Sequence, residues 1–144
     1  MASSDSPQPP VGVLMIGTGE YTTGYGANSS QTDKGAGVVA LTMFDLRKRG
    51  FVGDLHLAGV NGTKLPAIRD YMKSVLGGLY PRSGFDFTCA TYPEDGKVDA
   101  RAYVTALDAL PKGSAVIIFT PDDTHFEQGG VVRCRFPVTG PRTI

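Results

Sequence analysis

The apolar run Val11-Gly12-Val13-Leu14-Met15-Ile16 ends abruptly in Gly17-Thr18-Gly19. With no polar residue alternating through it, the run has no face to offer to water. It suits a parallel strand buried on both sides, which requires helices above and below the sheet. The two glycines allow a sharp turn and let backbone N–H groups approach an anion such as a pyrophosphate. The fuller dinucleotide-binding spacing has a third glycine near position 22, where this chain has Thr22; the next ones are Gly24 and Gly26.

Beyond that turn the pattern alternates between helix and strand. Asp33 is a candidate N-cap for a helix through Arg49, with Val39, Met43 and Leu46 on one stripe. The basic Arg47, Lys48 and Arg49 complement its C-terminal dipole before Gly50 stops it. Leu55 to Val60 reads as a second strand, Asn61-Gly62-Thr63 as a turn, and a helix is expected from about Pro66. Phe85, Phe87 and Cys89 alternate with Asp86 and Thr88 as a third strand. A helix from Asp99 to Pro111 and a fourth apolar strand from Ala115 to Phe119 follow. Strand alternating with helix in this way predicts a Rossmann-like three-layer α/β sandwich, with a parallel sheet in the order 3-2-1-4.

Composition sets bounds on this reading. At 144 residues the chain is one domain long, and such a domain buries roughly two-thirds of its unfolded surface. Fourteen basic residues balance fourteen acidic ones, so bulk charge gives no reason to expect a nucleic acid or membrane partner. Met1 to Pro10 is polar and proline-rich, reads as a disordered leader, and lacks the pattern of a targeting signal; no later stretch is long enough to span a bilayer. A cytoplasmic protein is the expectation. Cys89 and Cys134 have no metal-type spacing and read as free thiols. The adjacent Asp122 and Asp123 read as solvated or helix-capping carboxylates, so no metal site is expected.

The fourth strand runs into Thr120-Pro121-Asp122-Asp123-Thr124-His125-Phe126-Glu127. Together with Gly17-Thr18-Gly19 after the first strand, this box resembles the N-terminal domain of the glucose-fructose oxidoreductase and inositol dehydrogenase family, over roughly residues 11–127. The resemblance implies binding of NAD or NADP. Gly17, Thr18 and Gly19 would hold the pyrophosphate, Asn61 would read the adenosine ribose, and Thr120, Pro121 and Asp122 would lie beside the nicotinamide ribose. His125 would begin the following helix as a positioning or capping residue, since nothing near it in sequence completes a nucleophile-base pair. An acid expected at position 61 is absent, which removes a repulsion against a 2′-phosphate. Lys64 could pair with that phosphate and Thr63 could donate a hydrogen bond to it, so NADP is slightly favoured over NAD.

Two departures from the family pattern bear on activity. The segment from Tyr21 to Ser30 is longer than such loops usually are, and reads as a polar flap or a surface insertion. After Glu127 the family continues through a helix to a fifth strand ending in a Glu-Lys-Pro box, whose lysine serves the chemistry, and then to a substrate domain. Residues 128–144 instead hold three arginines and no acid. They read as a divergent basic tail, flexible or pairing as a strand over Val131 to Pro137, with Phe136 where the family has lysine. Loss of the helix would expose the edge of the fourth strand, through which the chain could self-associate.

The expected function is therefore the NAD(P)-binding domain of a sugar or polyol oxidoreductase, with no catalytic residue of its own and inactive as an isolated chain. A non-catalytic dinucleotide sensor or interaction module is the alternative. A phosphate-loop hydrolase fits less well, because Tyr25-Gly26 stands where that motif needs Lys followed by Ser or Thr. A methyltransferase also fits less well, because the residue before the loop is apolar.

Overall fold

The computed structural model describes residues 8–26 and 37–135. The chain forms a parallel four-stranded sheet in the order β3-β2-β1-β4, with helices on both faces. This is the expected Rossmann-like α/β architecture, and the observed strand order is the predicted one.

The first strand, β1 (Val11–Ile16), is central and pairs in parallel with β2 (Val52–Ala58) on one side and β4 (Ala115–Ile118) on the other. Its apolar run serves both faces, because successive side chains of a strand point to opposite sides. Val13 and Met15 enter one core with Leu55, Leu57, Phe44, Leu65, Ile68 and Met72. Leu14 and Ile16 enter the other with Ala58, Tyr103, Ala106 and Leu107. A charge at any of residues 13–16 would therefore be buried.

Helix α1 (Glu20–Thr23) begins at once after the glycine turn, with Gly19 as its N-cap. This corrects the expectation that a long loop separates Gly19 from the first helix. Thr22 and Thr23 are buried in this single helical turn and form no flap, while Asn28, Ser29 and Ser30 lie outside the described residues. Thr23 explains its own burial: its hydroxyl lies 3.2 Å from the Gly19 carbonyl and 3.2 Å from the Tyr25 amide, so its polar atom is satisfied within the turn. Helix α2 (Val38–Lys48) starts after Gly37, and the proposed Asp33 cap lies outside the described residues.

After β2, a 3-10 turn (Gly62–Lys64) leads into α3 (Leu65–Tyr71), with Pro66 in its first turn. A π-type turn (Met72–Leu76) and α4 (Gly77–Leu79) carry the helix on. The third strand lies later than expected. Residues 85–89 do alternate between half-buried and exposed, but β3 is Ala90–Tyr92, paired with His56, Leu57 and Ala58. Side-chain periodicity records burial, whereas a strand also needs a partner backbone in register. Arg47 occupies the carbonyls of Asp86 and Thr88 instead, at 2.9 and 2.5 Å.

Helix α5 (Ala102–Ala109) crosses the second face, and α6 (Asp122–Arg135) follows β4. The latter corrects the reading of the segment after Glu127: residues 128–135 are neither a loose tail nor a strand, but the continuation of a fourteen-residue helix. Val131 and Val132 pack against the second core beside Val116 and Ile118. Arg135 bonds Asp108 on α5 at 2.6 Å. The crossover helix thus covers a face of β4. That strand still ends the sheet, so its outer edge pairs with no strand among the described residues. Phe136 lies outside the described residues. No helix among those described is long and apolar enough to cross a membrane.

Candidate functional site

All four strands are parallel, so the loops that follow β1, β2 and β4 emerge together at one end of the sheet. Ligands of open α/β sheets bind at that carboxyl end. A cleft of about 330 Å³ lies there, near the low end of small-molecule sites, which run from roughly 300 to 1,000 Å³. It brings together Gly17, Thr18 and Gly19, Asn61 and Lys64, and Thr120 and Pro121. These come from three separate stretches of sequence and are seven of the ten expected site residues. Thr63, Asp122 and His125 do not line it.

The two glycines of the first loop serve different ends. Gly17 has φ +120°, and a Cβ there would run into the Phe119 carbonyl, with the carbonyl carbon 2.8 Å away. Its bareness is needed by the fold itself, to let β1 turn past the end of β4. Gly19 has an ordinary φ of −70°, and a Cβ on it would meet nothing within 4 Å. Nothing within the protein demands a glycine there, and the bare position faces open space in the cleft wall.

A third close approach, not foreseen from sequence, involves Gly59. A Cβ there would fall 2.6 Å from Thr18 Cγ2 and 2.9 Å from its Oγ1, so Thr18 seats directly on the end of β2. This joins the first loop to the second. The signal was present in the sequence as a glycine at the end of a strand, which often marks such an approach.

The loop after β2 is tied down from within. Asn61 Oδ1 accepts from the Thr63 amide at 3.0 Å and from the Thr63 hydroxyl at 2.6 Å, so the hydroxyl expected to face a phosphate is engaged with Asn61. Gly62 N–H donates to the Lys97 carbonyl at 2.7 Å, and Asp99 N–H to the Val60 carbonyl at 2.9 Å. These bonds strap residues 97–99 against the loop and carry Ala100 and Tyr103 into the cleft wall. Lys64 lines the same wall and is exposed. It is the cleft's single charged lining residue among those described, and no carboxylate accompanies it.

On the β4 side, Thr120 Oγ1 donates to Gln128 Oε1 at 2.6 Å, and Thr124 Oγ1 lies 2.8 Å from both Thr120 Oγ1 and the Pro121 carbonyl. Thr124 and Gln128 are four residues apart on α6, hence on one helical face. The chain of hydrogen bonds fixes the Gln128 amide at the cleft rim. Sequence reasoning put Gln128 in a divergent tail and so missed it; its spacing from Thr124 was the available clue. Asp122 is fully exposed, and His125 Nδ1 stands 3.8 Å from it within the first turn of α6. His125 Nε2 is buried and lacks a hydrogen-bond partner among the described residues.

Among the described residues, no group of three or more potential ligands is arranged to hold a metal ion. No family model matches the chain, and neither a curated protein nor a solved structure matches it.

Proposed function

We propose that the chain is an NAD(P)-binding domain of the kind that sugar and polyol oxidoreductases use. The observation that carries this reading is the convergence of three loops on one cleft: Gly17–Gly19, Asn61 with Lys64, and Thr120 with Pro121. Three features of that cleft favour a phosphate-bearing nucleotide. Gly19 leaves the wall bare where a pyrophosphate would approach the backbone. The cleft has one ammonium and no carboxylate, so an anion meets attraction without repulsion. Thr18, fixed on Gly59, holds the loop shape before any ligand arrives, which lowers the ordering cost of binding. Lys64 beside Asn61 supports NADP over NAD, since an ammonium can pair with a 2′-phosphate and no acid opposes it.

Binding without turnover is the form of this proposal. Hydride transfer needs a group to take or give the hydroxyl proton, and positioned acid-base catalysis contributes typically a hundredfold or more. Of the described cleft lining, Lys64 stands on the adenosine side, the Tyr103 hydroxyl is buried, and the remaining polar side chains are amides and aliphatic hydroxyls. Calorimetric titration of the chain with NADP and with NAD tests the reading. NADP should bind more tightly, Lys64→Ala should erase the difference, and Gly19→Val should abolish binding of both while leaving the circular dichroism spectrum unchanged. Unaltered affinity in Gly19→Val would sink the phosphate-loop assignment.

A further inference from the structure

We infer that the outer edge of β4 is a self-association surface, on which a second copy of this chain lays its own β4 antiparallel, so that one sheet runs through both copies. This stands independently of the nucleotide reading. The Phe119 N–H donates to the Ile16 carbonyl at 2.7 Å, and backbone groups along a strand alternate in direction from one residue to the next. Ile117 therefore also faces β1, while the N–H and C=O of Val116 and Ile118 face outward. Neither residue's outward groups find a partner among the described residues. No proline, charged residue or bulge blunts the edge between Ala115 and Ile118. The opposite edge suits pairing less, because β3 is three residues long and is followed by Pro93, which has no N–H.

Charge singles out a second copy as the occupant. The outward groups set the register: Val116 exchanges both backbone bonds with the partner's Ile118, and the two-fold axis passes between Ile117 and its copy. Every cross-strand pair is then apolar, with Ile117 on the first-core face and Val116 and Ile118 on the second. The same register sets Lys112 opposite the partner's Asp122. Because α6 covers β4 on one face in each copy, the two α6 helices lie side by side and antiparallel. Asp122 and Asp123 in the first turn of one helix then approach Arg133 in the last turn of the other, and the opposed helix dipoles add to the attraction. Within one chain these charges are idle. Lys112, Asp123 and Arg133 are exposed and have no ion-pair partner among the described residues, and Asp122 has only His125 at 3.8 Å.

Sedimentation equilibrium of the full chain should show a reversible dimer, of twice the 15.2 kDa of one chain, with the micromolar affinity of a small interface. Val116→Pro removes an outward N–H from each copy and leaves the ladder to β1 intact. It should weaken the dimer roughly tenfold and preserve the circular dichroism spectrum. An exchange of charges decides the matter without touching the strand. Asp122→Lys with Asp123→Lys in one chain, and Lys112→Glu with Arg133→Glu in another, should each repel their own copies and sediment as monomers. An equal mixture of the two should dimerise, because every contact is again between opposite charges. A monomer at every concentration of the unsubstituted chain would overturn the inference, and protected Val116 and Ile118 amides in that monomer would assign the edge to another segment of the same chain. A dimer indifferent to Val116→Pro, or a mixture that stays monomeric, would overturn it as well.

Discussion

Leu14, Met15 and Phe44 are completely enclosed, whereas α6 buries none of its fourteen residues and leaves Phe126 94% exposed. Both regions wall the same cleft. The β1–β2 side is a packed core cut across its end, with Thr18 seated on Gly59 and Gly17 against the Phe119 carbonyl. The β4–α6 side is held by partly buried valines, the Thr120–Gln128 bond and the Arg135–Asp108 pair. Local stability follows buried apolar contact, so the glycine-loop wall is the rigid template and the α6 wall is the adjustable one. A ligand spanning both would tie the second to the first.

The largest test of this contrast is mutational. Phe44→Ala removes an enclosed ring that packs edge-on against Phe87 at 5.1 Å, and should cost about 3–5 kcal/mol. Against a total stability of roughly 5–15 kcal/mol, that shifts a urea unfolding midpoint substantially. Phe126→Ala on α6 should stay within about 0.5 kcal/mol. Similar losses from the two substitutions would mean that α6 is packed as firmly as the core.

Thiol chemistry sharpens the comparison with a smaller readout. Burial pushes the Cys89 thiol up to about 11, leaving little of the thiolate that reacts, while Cys134 is exposed on α6. A disulfide reagent at pH 8 should titrate one thiol per chain quickly and the second only as the fold opens. Two equally fast phases would contradict the enclosed setting of Cys89.

The smallest effect concerns pH. The hydrogen bond from Arg135 holds the Asp108 carboxyl below its ordinary value, so the pair contributes above the unfolded carboxyl pKa of roughly 4. That contribution is lost as pH falls through the lower folded value. Both groups are solvent-facing, so the loss is confined to the end of α6. Protection of the last-turn amides of α6, measured relative to their intrinsic exchange, should fall as the pH drops below about 4, before protection of the β1 amides responds. Simultaneous loss of protection in both regions would indicate that α6 has no separate weakness.

How much of this was legible beforehand depended on whether the signal was local. Val11–Ile16 declared a central strand because an unbroken apolar run has no alternative to burial on both faces, and the glycine turn marked the first wall of the cleft. The Thr-Pro box after β4 located another. β3 was misplaced because the half-buried alternation of Phe85 and Phe87 arises from packing on α2, while ladder pairing begins only at Ala90. In α6, Gly129 and Gly130 and an apolar content too small for a buried face weaken every helical cue, and the segment reads as a tail.

By itself, then, the amino-acid order determined the α/β alternation, the parallel sheet in its 3-2-1-4 order and the loops that would meet at one end, because hydrophobic periodicity and turn chemistry act over a few residues. Tertiary structure alone decided that α6 continues across Glu127, since its valines find an apolar platform in Val116 and Ile118. It alone brought Gly59, Tyr103 and Gln128 to the cleft. Each reaches that place through a partner distant in sequence: Gly59 through contact with Thr18, Tyr103 through the strap of residues 97–99, and Gln128 through its bond to Thr120. Contacts of that kind exist only once the sheet has set the strand ends side by side.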